Sequence, residues 1–221
     1  MALAAALVSP VPVLPQDADT KSSTSPPSDK PTPAFRDFFG MKLVPSGREI
    51  HVPVEINMCD GLIEYVLVHQ NGKTHESLFR SEISAEHFNA ALLLFLPSDR
   101  GLPVESLHNL KIDLYAHWVD EKGRPHKVAV DRWIKNTVLE KPMKPGPWGY
   151  VGSRIENNVY VASRDGSYIA VREDPDTIVG NPRPESNQDD IWMANIPEPW
   201  KEGEKLTLIL HIPKIAGRAG E

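Results

Sequence analysis

The chain has 221 residues, 40% of them hydrophobic and 24% charged, which is enough for one well-buried core. Its 21 prolines argue against long helices dominating, and a net charge of −6 without a basic patch argues against nucleic acid or an anionic membrane as a ligand. Cys59 is the only cysteine, so its own thiolates supply no intramolecular disulfide, zinc ribbon or iron–sulfur cluster.

In chain order, Met1–Val8 is an apolar, alanine-rich run that reads as the tail of a truncated secretory signal, which would place the protein outside the cytoplasm. Pro10 to Pro33 holds seven prolines among Ser, Thr, Asp and Lys, a composition that buries too little apolar area to offset the entropy of ordering, and it is expected to be a disordered tether. A folded domain is expected over 35–214, with a frayed tail at 215–221. Strands are predicted at Met41–Val44 and Glu49–Ile56, where Ile50, Val52, Val54 and Ile56 alternate with polar residues. Pro53 lacks an N–H, so this second strand should lie at an edge or donate on one side only.

Asn71-Gly72 between two apolar runs predicts a type I′ hairpin over Gly61–Arg80, with Val68 opposite His75, Val66 opposite Ser77 and Glu64 opposite Phe79. A helix follows near 84–96, with Ser84 as N-cap, Phe88, Ala91, Leu92 and Phe95 at helical spacing, and Pro97 as its stop. Two more hairpins are predicted, Leu110–Val119 with Lys127–Ile134, and Asn158–Ser163 with Tyr168–Arg172, then one helical turn at Pro175–Val179 and a last strand at Lys205–Ile212. The expected class is α+β, mostly antiparallel β, as a single sheet or a two-sheet sandwich of hairpins with one packed helix. The longest apolar run, Ala90–Leu96, falls far short of the ~20 residues of a membrane span, so no transmembrane segment is expected.

Gly61-Leu62-Ile63-Glu64-Tyr65, then Gly72-Lys73-Thr74-His75-Glu76-Ser77-Leu78 and an apolar helix, resembles the YdjY domain family of bacterial proteins. Trp148 through Ser153, Asp165-Gly166-Ser167, Asn181-Pro182 and Asp189-Asp190-Ile191-Trp192 look like later parts of the same domain, so the resemblance spans most of 41–212. That family has no settled activity, and the resemblance implies an exported setting rather than a mechanism. Some relatives are described as iron–sulfur proteins, which Cys59 alone does not support.

Candidate polar site residues are Glu64, His75, Glu76, Ser77, Asp189 and Asp190. In the hairpin register Glu64, His75 and Ser77 share a face and are the parts of a nucleophilic triad. Side chains at i and i+2 nevertheless stand about 6.5–7 Å apart, too far for proton transfer, and neither a nucleophile elbow nor an HExxH pattern is visible. No metal or other cofactor is expected. Trp148 and Trp200, beside prolines, are the expected ligand-contacting aromatics, whereas Trp118, Trp133 and Trp192 sit in or beside strand patterns and are expected in the core. The leading expectation is a non-catalytic binding or assembly module for a protein, peptide or carbohydrate partner. The alternative is a metal-dependent or Ser/His-type hydrolase built on Glu64, His75, Glu76 and Ser77.

Overall fold

The computed structural model describes residues 34–95 and 110–214; the leader, Pro97 and the tail lie outside the described residues. The described residues begin with β1 (Arg36–Phe38), β2 (Met41–Val44), β3 (Glu49–Ile56), β4 (Asp60–Leu62), β5 (Tyr65–His69) and β6 (Ser77–Ser81). Helix α1 (Ala85–Leu93) precedes β7 (Lys111–Val119), β8 (Pro125–Ala129), β9 (Ile134–Asn136), β10 (Lys141–Pro142) and β11 (Trp148–Tyr150). Then come β12 (Ile155–Glu156), β13 (Val159–Tyr160), helix α2 (Val161–Asp165), β14 (Ser167–Ala170), β15 (Val179–Gly180), β16 (Trp192–Asn195) and β17 (Lys205–His211).

Eight strands close on themselves in the order β3-β17-β7-β11-β15-β14-β5-β6 and back to β3, with β1, β2 and β8 attached outside the ring. The fold is mostly β and rich in antiparallel pairs, but it is a mixed barrel rather than an open sheet or a sandwich: β5 pairs with β6, and β14 with β15, in parallel. Closure removes edges that an open sheet would have to protect. A second sheet, β10-β9-β16-β4, is carried beside the ring.

The alternating strands behave as their pattern requires. Ile50, Val52, Val54 and Ile56 of β3 meet Leu206, Leu208 and Leu210 of β17 and Ile112, Leu114 and Ala116 of β7 in one continuous core. Each fully buried aliphatic side chain contributes about 1.5–3 kcal/mol. Pro53 sits in a central strand, not at an edge. It faces Thr207 on β17, and on its other side the pairing with β2 ends at His51 while that with β6 starts at Glu55, so its missing N–H falls in a gap. The Ser81 hydroxyl donates to the Pro53 carbonyl there at 2.8 Å.

The Gly61–Arg80 hairpin is corrected by the structure. Tyr65 lies beside Ser77 and Leu67 beside Phe79 in parallel register, and residues 70–76 arch back over the turn at Gly166. Asn71 and Gly72 both keep negative φ, so no type I′ turn forms. The reason is burial: Tyr65–Val68 is buried on both faces, and the antiparallel register would have brought Lys73 and His75 into that interior. The parallel one confines them to the arch and a 3-10 turn at Thr74–Glu76. The Asn158–Arg172 hairpin is also replaced. Val159–Tyr160 pairs back onto Ile155–Glu156 through Asn157-Asn158, both at positive φ, and Val161–Asp165 is helical. Pro175 opens a non-helical turn closed from Thr177 N–H to the Asp174 carbonyl, so no helical turn spans Pro175–Val179.

Helix α1 forms where expected, its Ser84 side chain accepting from the His87 N–H at 3.3 Å. It packs on β14 through Phe88, stacked on Tyr168 at 5.3 Å, while the Tyr168 hydroxyl donates to the Ile83 carbonyl.

Where a single strand was expected over Lys127–Ile134, the chain breaks at Ala129 into a 3-10 turn, Val130–Trp133, that turns Asp131 inward. Arg183 meets it there in a buried ion pair and also donates to the carbonyls of Lys144 and Gly146 and to Asn181 Oδ1. Burial pushes the Asp131 carboxyl up to about 6 despite the opposing Arg183 guanidinium. An acid with a raised native pKa takes up protons on folding, so its stability contribution is greatest below the unfolded value near 3.8 and is lost as pH rises towards 6. Relative to Asp131→Asn, the parent is expected to lose up to about 3 kcal/mol between pH 4 and 6.5, read from denaturant melts across that range. A pH-independent difference between the two proteins would contradict this.

Candidate functional site

The predicted polar residues do not converge. Glu64 accepts from Arg172 Nε at 2.5 Å, within a cluster where Lys73 Nζ donates to the Tyr65 hydroxyl at 2.6 Å and that hydroxyl donates to Asp174 at 2.8 Å. Burial pushes the Tyr65 phenol up, away from any role as a base at neutral pH. The His75 side chain is 78% exposed and reaches only Glu76, at 3.7 Å. Ser77 is fully buried, its Oγ accepting from Asn57 Nδ2 at 3.2 Å. Asp189 and Asp190 are exposed in the loop ahead of β16. Among the described residues no group of three His, Cys, Asp or Glu side chains is placed to hold a metal ion.

The aromatics separate differently from their expected order. Trp148 is completely buried, with Arg183 over its ring at 5.1 Å, because β11 is an inner barrel strand and not the exposed loop that its proline neighbours suggested. Trp192 is core, as its strand pattern implies. Trp118 and Trp200 are half-buried and meet edge to face, ring centroids 5.2 Å apart at 87°. Trp133, almost fully buried, lies 6.0 Å from each of them and 6.1 Å from Phe79, so the cluster is rooted in the barrel core.

These three indoles line a groove of about 1290 Å³ between the β7–β8 hairpin, the 3-10 turn at Val130–Trp133, the segment 195–200 and the start of β17. Local geometry fixes each wall. The hairpin is closed by Asp120, whose carboxylate accepts from the N–H groups of Lys122 and Arg124, from Arg124 Nε at 2.8 Å, and pairs with His126 at 3.0 Å. Those partners, the His126 ring foremost, hold the Asp120 carboxyl down at about 2. His126 stacks on Trp118 at 5.0 Å and 10°, so the indole is clamped from behind. On the facing wall, Pro197 and Pro199 stiffen the chain, Ile196 N–H donates to the Cys59 carbonyl, and the Cys59 thiol reaches the Trp200 carbonyl at 3.7 Å. Burial pushes the Cys59 thiol up and His117, on the lining, down. The groove is preorganised, a property that lowers the ordering cost of binding.

Sequence reasoning placed Trp200 among the ligand-contacting aromatics and Trp118 in the core. The available signal was position: Trp118 stands two residues before the charged turn Asp120–Arg124, at the turn end of a hairpin. No family model matches the chain, and comparisons with curated proteins and with solved structures return no match.

Proposed function

We propose that this chain is a non-catalytic binding module, working outside the cytoplasm, that holds a ligand in the Trp118–Trp133–Trp200 groove. The observation that carries the reading is that groove: rigid aromatic walls, a floor continuous with the core, and a rim of charged residues are the anatomy of a recognition site. A hydrolase would need Glu64, His75 and Ser77 to meet, and each is engaged or directed elsewhere. The exported setting rests on the composition of Met1–Val8 and on the YdjY resemblance of residues 41–212. Among the described residues no helix is long and apolar enough to cross a membrane.

A panel of peptides and oligosaccharides titrated against the full chain, followed by tryptophan fluorescence, tests the reading. Trp200→Ala is expected to weaken the responding ligand by at least about tenfold while lowering stability by only about 1–2 kcal/mol, because the ring is half-buried. Unchanged affinity in this variant, or turnover of the ligand, would contradict the proposal.

A further inference from the structure

The β7–β8 hairpin forms one wall of the groove, and β8 pairs with the barrel through β7 alone, so the wall is held by its side chains as well as by its ladder. Trp118 and His126 stand opposite each other in that ladder. Their rings stack at 5.0 Å and 10°, and Trp118 meets Trp200 edge to face. His126 is not itself on the lining, so it acts on the groove through the Trp118 indole.

The charges around His126 have a definite layout. Its Nε2 lies 3.0 Å from Asp120 Oδ2, and an ionised carboxylate only accepts, so the neutral ring carries its proton on Nε2 and a second proton adds at Nδ1. Asp120 stays ionised over the whole range in which histidines titrate, because the His126 ring first, and the groups of the turn after it, hold its carboxyl at about 2. Arg124 Nε shares that oxygen at 2.8 Å and opposes the added charge, but its side chain is 65% exposed and its repulsion is screened, whereas the carboxylate and the Trp118 face lie directly against the imidazole. At the tip of the turn Glu121 and Lys122 offset each other. The alternation of the hairpin puts His117 and Lys127 on its other face, with Glu49 and His51 of β3, where burial, His51 and Lys127 push His117 down, towards its neutral form. Beyond the hairpin the charged lining is Arg132, Glu198, Glu204 and Lys205, two of each sign, and among the described residues none of them pairs with His126.

An imidazolium over an indole face is attracted by the ring quadrupole, and indole is the best aromatic partner for a cation. A proton on His126 therefore strengthens its contact with Trp118 and its contact with Asp120 together. Resting on the reading of the groove as the binding site, we propose that His126 is a positioning residue of that groove and its proton switch: charged, it pins the Trp118 indole against Trp200, and neutral, it leaves that indole freer. Binding in the groove is thereby favoured on the acid side of neutrality, where the wall is better preorganised.

The full chain, labelled with ¹⁵N and free of ligand, is followed from about pH 5 to about pH 8 through the relaxation of the assigned Trp118 indole N–H. As pH falls its order parameter is expected to rise towards about 0.85, the value of a rigid site, in step with the titration of the His126 ring. His126→Phe keeps a stacked ring without a titrating proton, and Trp118 order should then be independent of pH. His126→Gln keeps a donor for Asp120 without ring or charge, and should hold Trp118 at the low-order end at every pH. A parent order that is flat with pH, or a pH response that survives in either variant, would overturn the switch. A ligand of the peptide and oligosaccharide panel that shifts the groove indoles while Trp118 order stays flat would keep the site and remove this inference. A pH-responsive Trp118 with no panel ligand shifting those indoles would keep the switch and remove the binding reading.

Discussion

Arg183→Met is expected to destabilise the protein by about 3–5 kcal/mol, a large share of the 5–15 kcal/mol typical of a domain. The guanidinium joins three segments distant in sequence: the 3-10 turn through Asp131, the connection before β11 through the carbonyls of Lys144 and Gly146, and its own loop through Asn181. Methionine roughly fills the space but leaves the buried Asp131 carboxylate without its cation and two carbonyls without a donor. The loss should be smaller at pH 5 than at pH 8, because an unpaired Asp131 is protonated more readily in acid. Adding Asp131→Leu should recover only the charge-related part, since the carbonyls stay unsatisfied. Denaturant melts of the single and double variants at both pH values check each statement. A loss below about 1 kcal/mol would show that the pair contributes no more than a surface one.

Gly166→Ala is expected to cost about 2–5 kcal/mol. Gly166 has φ +68°, a left-handed conformation worth about 1–2 kcal/mol of strain for alanine, and its added Cβ would lie 2.8 Å from the Gly72 Cα. Backbone does not swing aside as a flexible side chain does, so the overlap adds about 1–3 kcal/mol. The contact is the point where the 70–76 arch, which links the parallel pair β5 and β6, crosses the turn before β14. Gly123→Ala is the control: its φ is +74°, but nothing lies within 4 Å of the added Cβ. Gly166→Ala should therefore exceed Gly123→Ala by at least about 1 kcal/mol in thermal or denaturant melts. Equal losses would mean that the arch yields and the close approach is not a constraint.

These two sites also mark where the sequence was readable and where it was not. Alternation in Glu49–Ile56 and Lys205–Ile212 located β3 and β17, because a strand with one wet face must segregate its side chains. The Ser84 cap located α1 for an equally local reason. Tyr65–Val68, apolar at every position, carries no facing information, so the Asn71-Gly72 pair decided the reading by turn preference alone. Burial on both faces favoured a parallel neighbour instead. The real positive-φ pair, Asn157-Asn158, joins strands of only two residues each and has too little flanking pattern to stand out. The groove was partly visible. Trp200 was singled out for its loop position and Trp118 had only its place beside the hairpin turn to mark it, but Trp133 joins them because β8 breaks at Ala129 and the chain turns inward, a tertiary outcome that no local pattern encodes.

The most direct test of the functional account is a ¹H–¹⁵N spectrum of the full chain, with the five tryptophan indole N–H resonances assigned, recorded across the peptide and oligosaccharide panel. A binding ligand is expected to shift Trp118, Trp133 and Trp200 and to leave the sealed Trp148 and Trp192 in place. Shifts confined to Glu64, His75, Glu76 and Ser77, with the groove indoles unmoved, would contradict it.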